Sequence, residues 1–442
     1  MARTGRIGTA LHLALGLGVL GAAGYAFVAV VGHVFERPDE AGALSALISL
    51  YLVVNIIGPG VFAALEQETS RAVSSAVARG EPTRPVARRA AVLAARSLAV
   101  LVLAVLVAWP LFLGRVLDGR VGLLVALLVA IGGSAAVYWT RGVLGGQQRF
   151  DAYARTLYVE GAVRLLPGLL LVAVAVASPA AYGVTFALGS ALAALSVAAT
   201  MRLPRPGTSG ATGVAPVGMG RSLSYLMVAV SLSQLVANLA PVVVTYRSPG
   251  DLVAAGVFAS TFVLARIPLF LFAPVQAVLL PKLTRAAVLG HRAELGRLLW
   301  RVVGIVLVVG VAGVVGSVLV GPWAAEVLFN TAVRPSVTVL GLLAAATMLM
   351  LVALVVQPTL IALGRQNVVT IGWISGAVVF LGLLVAPVAP ITAALSAQLA
   401  GPAVVVAVLA VGVVRALRAA HPGAAAHAPQ VGWRPHTGRS WT

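Results

Sequence analysis

Apolar residues run along this chain in long blocks separated by short polar stretches. The blocks do not alternate with period two, and most exceed the length of a strand, so they read as helices. A helix needs roughly 20 predominantly apolar residues to cross a bilayer. Twelve segments qualify, at about 8–34, 41–65, 88–113, 121–141, 157–178, 181–201, 222–246, 252–280, 299–320, 336–362, 367–387 and 389–416. Arg3 and Arg6 precede the first block, as in a signal peptide. That block is longer than a typical signal core and eleven spans follow it, so it is read as an uncleaved first helix.

One polar stretch differs from the rest. Residues 202–221 are rich in Pro, Gly, Ser and Thr and carry no apolar period, which marks a linker between six spans and six. The chain therefore divides into a lobe at 1–201, the linker at 202–221, a second lobe at 222–417 and a disordered tail at 418–442. An internal repeat supports this division. Arg6 and Arg221 stand 215 residues apart, each ahead of its lobe's first helix, and Arg71 and Arg285 stand 214 apart in similar segments. GGQQR at 145–149 and LGRQN at 363–367 follow the fourth and tenth spans at nearly the same offset. Because six is even, the halves are parallel repeats related by an axis along the membrane normal. The expected fold is an all-α integral membrane protein, two six-helix lobes around a central cleft.

Composition narrows the class further. Of 442 residues, 60% are hydrophobic and only 10% charged, where a soluble domain carries about 25% charged residues. That excludes a water-soluble enzyme and a disordered chain. There is no Cys, which removes disulfides, thiolate chemistry and Cys-ligated metals. A single Lys among 31 basic residues suggests a GC-rich bacterial genome.

The formal charge of +19 could suggest nucleic acid, but its distribution says otherwise. With both termini placed in the cytoplasm, 23 basic residues fall in inner loops and ends, and five (Arg37, Arg115, Arg120, Arg247 and Arg334) in outer loops. This is the positive-inside pattern of a multi-pass inner-membrane protein. Arg141 counts among the inner loop residues here, and Arg96, Arg164 and Arg266 lie inside spans.

The segments FAALEQETSRAV (62–73), YWTRGVLGGQQRFDAYA (138–154) and APVQAVLLPKLTRAA (273–287) resemble the polysaccharide-transport branch of the multidrug/oligosaccharidyl-lipid/polysaccharide (MOP) exporter superfamily. The resemblance implies a flippase for undecaprenyl-pyrophosphate-linked glycans in the bacterial inner membrane. It also implies a cationic central cavity lined by the first, second, seventh and eighth helices.

No enzyme motif is present: there is no phosphate-binding loop and no His-Glu-x-x-His, and the six His residues show no metal-ligand spacing. No cofactor or metal is expected. The informative residues are polar groups inside spans, where a charge is costly. Arg266 lies about 14 residues from either end of the expected eighth span, too deep for its side chain to reach an interface. It reads either as a pyrophosphate contact, since a planar guanidinium suits phosphate oxygens, or as a structural bond to another helix. Glu160 and Arg164 are four apart on one helical face, as a locking ion pair or as a coupling carboxylate switched by H+ or Na+. Arg96 is close enough to the cytoplasmic headgroups to snorkel.

Polar stripes complete the candidate set. Asn55, Pro59, Phe62 and Glu66 share a face of the second helix, with Glu66, Glu68 and Arg71 as a gate-like cluster at its inner mouth. Ser231, Gln234, Asn238 and Pro241 share a face of the seventh. Each stripe is either cavity lining or a helix–helix contact. Gln276 and Gln357 are further substrate-contact candidates, and Pro268 and Pro274 predict a bend in the eighth helix. The leading functional expectation is an alternating-access flippase for a polyprenyl-pyrophosphate glycan, with membrane lipids and a glycan polymerase or glycosyltransferases as partners and no nucleic acid. A cation-coupled multidrug exporter and a non-transporting scaffold for glycan assembly are the alternatives.

Overall fold

A computed structural model describes residues 2–199, 219–269, 292–330 and 333–418. Among these residues every regular element is helical. With no water to satisfy backbone groups in the hydrocarbon, a chain this apolar closes its hydrogen bonds within each segment. Twelve helices are long and apolar enough to cross a membrane: α1 (Leu15–Val34), α2 (Ala41–Ser74), α3 (Thr83–Val116), α4 (Val121–Gly146), α5 (Phe150–Ala173), α6 (Pro179–Ala198), α7 (Met227–Arg247), α8 (Leu252–Leu269), α9 (Ala293–Leu319), α10 (Val337–Ala362), α11 (Gln366–Leu384) and α12 (Pro390–Arg418). The twelve expected segments map onto these one for one. The end of the bundle where α1 starts is called proximal below, and the opposite end distal.

Packing repeats between the halves. In the first half α1 packs on α5, α4 on α6, and α5 on α6. In the second, α7 packs on α11, α10 on α12, and α11 on α12. The third member of each half, α3 or α9, is the least covered, with only 17% of its apolar window buried. The two lobes meet where α2 packs against α7 and α8.

Local chemistry sets the irregularities. Pro59 has no N–H to give the Asn55 carbonyl, and α2 widens into a π-turn over Gly58–Phe62. Pro110 sits in a second π-turn, Trp109–Leu113, near the distal end of α3. Arg247, at the distal end of α7, donates to the carbonyls of Leu384, Ala386 and Val388 at 2.8–2.9 Å and caps the α11 C-terminus.

Three expectations need correction or limits. The eighth helix reads in sequence as one span that Pro268 and Pro274 bend close to Arg266. Its α-helix is interrupted at Arg266, which lies in a tight turn with its N–H bonded to the Val263 carbonyl at 3.0 Å, and helix resumes over 267–269. Pro268 accounts for the break, because it has no N–H to give the Leu264 carbonyl. Second, Arg141 is not a loop residue: α4 continues to Gly146 and Arg141 is buried in it. Third, the linker core at 200–218, Gln276, Pro274 and the tail from 419 lie outside the described residues.

Candidate functional site

The first lobe contains a cavity of about 340 Å³. Gly18, Gly21 and Gly24 of α1 leave the space, and α2 contributes Tyr51, Asn55 and Pro59. Ser134, Tyr138 and Arg141 enter from α4, and Glu160 and Arg164 from α5. Asn55 is half-buried and donates to its own helix at the Tyr51 carbonyl, 2.8 Å away.

The expected Glu160–Arg164 pair forms, with Arg164 Nη2 at 2.6 Å from Glu160 Oε1. A third charge joins it: Arg141 Nη2 donates to Glu160 Oε2 at 2.5 Å. Ser190 of α6 donates to Glu160 Oε1 at 2.6 Å, and Thr156 accepts from Arg141 Nε at 2.8 Å. Glu160 thus serves two guanidiniums and a hydroxyl in one buried cluster. Burying it is tolerable only because nearly every polar atom finds a partner.

The proximal cluster on α2 separates. Glu68 and Arg71 pair within the helix at 2.7 Å, with Arg71 half exposed. Glu66 does not join them. It accepts from the Tyr153 hydroxyl of α5 at 2.6 Å, which ties α2 to its own lobe. The gate-like trio is therefore a surface pair and a separate interhelical bond.

In the second lobe Arg266 is 6% exposed. Its Nη2 donates to Gln398 Oε1 of α12 at 2.6 Å, and Gln398 passes a bond to the Val236 carbonyl of α7 at 2.9 Å. The guanidinium also stacks over the Phe262 ring at 4.5 Å. Its Nη1 is buried without a hydrogen-bond partner, and no carboxylate pairs with it among the described residues. Nη2 thus makes the bond to another helix that one sequence reading expected, while Nη1 has no hydrogen-bond partner.

The remaining candidates divide. Asn238 Nδ2 donates to Gln234 at its carbonyl (3.0 Å) and side-chain oxygen (3.3 Å), and Ser231 Oγ crosses between lobes to the Gly60 carbonyl at 2.7 Å. Gln357 accepts from Trp373 Nε1 at 2.7 Å, inside the second lobe. Arg141 and Gln398 escaped the sequence reading. Arg141 was hidden by a span boundary set five residues short. Gln398 is an amide deep in an apolar span, and the rule that picked out Gln357 would have found it.

The lobes are joined distally. Ser45 of α2 and Thr245 of α7 share a hydrogen bond at 2.9 Å, and Asn330 donates to Glu36 at 2.6 Å. Arg115 lies over the Tyr246 ring at 4.9 Å. A methyl group at Gly32 would collide with the Phe329 carbonyl, so α1 touches the short helix Gly321–Phe329 backbone to backbone.

No family model and no curated protein matches this chain. Solved structures do. An inward-facing multidrug resistance MATE family transporter of the MOP superfamily superposes with a TM-score of 0.66 at 14% identity, over 92% of this chain and 96% of the other. An outward-facing structure of such a transporter scores 0.58 at 14% identity, covering 92% and 94%. A MOP superfamily transporter from Pyrococcus furiosus, described as having a binding pocket of reverse polarity that suggests a different function, scores 0.62 at 12% identity, again over 92% and 94%. At these identities the likeness establishes the fold: a MATE-like, two-lobed arrangement of twelve helices.

Proposed function

We propose that this protein is an alternating-access exporter of a polyprenyl-pyrophosphate-linked oligosaccharide or polysaccharide precursor in a bacterial inner membrane, with both termini cytoplasmic. The observation that carries the reading is Arg266, a buried guanidinium with one unsatisfied nitrogen and no carboxylate partner among the described residues. Such a donor is costly to leave empty, and phosphate oxygens would fill it.

In this scheme Arg266 holds the pyrophosphate, with Asn55, Gln234, Asn238, Gln276 and Gln357 as the polar contacts proposed around the path. The lipid tail stays in the bilayer. An inside-negative potential assists outward passage of each negative charge by about 2.3 kcal/mol per 100 mV. The distal contacts fit a state open on the proximal, cytoplasmic side, and the higher score against an inward-facing structure supports it. Glycosyltransferases or a glycan polymerase would supply and consume the lipid.

The competing reading, a cation-coupled multidrug exporter, is favoured by what the similar structures are described as. It asks for an available carboxylate in the cleft, and Glu160 is already neutralised twice. One experiment separates them: flipping of a labelled polyprenyl-pyrophosphate glycan in proteoliposomes, with Arg266→Gln and Arg266→Lys alongside. The expected result is loss in Arg266→Gln and partial activity in Arg266→Lys. Equal flipping by all three proteins overturns the reading. Repeating the assay on Glu160→Gln with imposed H+ or Na+ gradients tests whether that carboxylate couples an ion.

A further inference from the structure

The proximal end of α3 carries four arginines, Arg84, Arg88, Arg89 and Arg96, on an exposed surface. Arg84, Arg88 and Arg96 fall at offsets of four and twelve, on one helical face with Val92 between them. None of the four forms an ion pair among the described residues, and no acidic residue lies between Thr83 and Val116. Pro85, Val92 and Leu93 share this open surface with them.

The depth of this patch can be read from the helix itself. α3 is 34 residues long, which at 1.5 Å per residue is about 50 Å, well over the ~30 Å of hydrocarbon. Its exposed apolar residues begin at Val92 and Leu93 and continue through Val100, Leu103, Leu106 and Val107 to Leu111. That stretch covers about 28 Å, matching the hydrocarbon. Arg84, Arg88 and Arg89 then stand in the headgroup layer. Arg96 starts one turn inside and reaches back to it.

We propose that this face of α3 is a binding site for an anionic phospholipid of the surrounding bilayer. The phosphate sits among the forks of Arg84, Arg88 and Arg96, and an acyl chain lies along Val92, Leu93 and Val100. Charge complementarity and the change from basic to apolar at the headgroup boundary select a lipid over a soluble anion. The site is independent of what the protein transports and lies at the proximal end of α3, away from the distal contact that Arg115 makes with Tyr246 of the other lobe.

The test uses the full-length protein in detergent. Native mass spectrometry measures retention of phosphatidylglycerol against phosphatidylcholine for the parent, for the triple variant Arg84→Gln, Arg88→Gln, Arg96→Gln, and for the same positions changed to Lys. All three side chains are exposed, so the fold is expected to survive, and size-exclusion elution with an unchanged melting temperature in the lipid-free protein confirms it. The parent is expected to prefer the anionic lipid. The Gln triple should bind it roughly a hundredfold more weakly, at about 1 kcal/mol per basic residue, while the Lys triple keeps most of the preference. Equal retention by parent and Gln triple overturns the proposal. So does displacement of the lipid by millimolar inorganic phosphate, which would make the site one for free anions.

Discussion

Arg141 and Glu160 stand 19 residues apart in the chain and meet at 2.5 Å, with side chains 4% and 3% exposed. Arg164 takes the other carboxylate oxygen at 2.6 Å. The carboxylate therefore joins α4 to α5 while α6 adds the Ser190 hydroxyl.

Glu160→Gln should destabilise the first lobe strongly, because it strands two buried guanidiniums. Breaking a buried pair in this way costs about 3–5 kcal/mol. Arg141→Gln alone should cost less, since Glu160 keeps Arg164 and Ser190. Combining Glu160→Gln with Arg141→Met should recover part of the loss, because one stranded charge is gone. Thermal unfolding of the purified variants in detergent measures all three. If Glu160→Gln melts with the parent, the cluster is not what holds these helices.

Gln398→Leu addresses the second lobe. It removes the acceptor from Arg266 Nη2 and the donor from the Val236 carbonyl. Leaving buried groups unpaired costs about 1–3 kcal/mol each. Adding Arg266→Met should restore stability by removing the stranded cation. Transport of the pyrophosphate lipid should stay lost in that double variant. A double variant that regains both stability and transport would show that Arg266 is only a structural partner of Gln398.

Much of this architecture was readable because a bilayer imposes a simple length rule on apolar helices. Twelve spans, two halves and the Glu160–Arg164 pair follow from run length and from i, i+4 spacing. The partners that come from distant parts of the chain were not readable. Nothing local to Glu66 points to Tyr153, or to Arg266 points to Gln398, since these meetings depend on which helices pack together. Arg141 was lost for a different reason. The run GVLGG after it is too short to extend a span by hydropathy, yet five weakly apolar residues suffice once Glu160 neutralises the arginine. The break in α8 at Arg266 was half visible in Pro268, whose missing N–H acts upstream of the proline itself.

Ser231→Ala tests the contact between lobes at the π-turn. The Ser231 hydroxyl is bonded to the Gly60 carbonyl within the wide turn that contains Pro59. Removing it should cost about 1 kcal/mol. Opening of that turn should then be about fivefold more frequent. Hydrogen–deuterium exchange over residues 58–62 reads this directly, and unchanged exchange there would mean that the bond does not hold the lobes.

The distal closure allows a reversible test, because the chain has no cysteine of its own. Ser45 and Thr245 lie on opposite lobes with their hydroxyl oxygens 2.9 Å apart and both side chains buried. Cysteines at these two positions bring sulfurs within range of a disulfide without moving either helix far. Oxidation of Ser45→Cys/Thr245→Cys should lock the distal side, and transport in proteoliposomes should fall to background. Reduction should restore it, which a folding defect would not allow. Each single variant should transport with or without oxidant, so loss in the oxidised pair alone reports the lock. If the cross-linked protein transports at the parent rate, the lobes do not separate at α2 and α7, and the opening that alternating access requires must lie elsewhere in the fold.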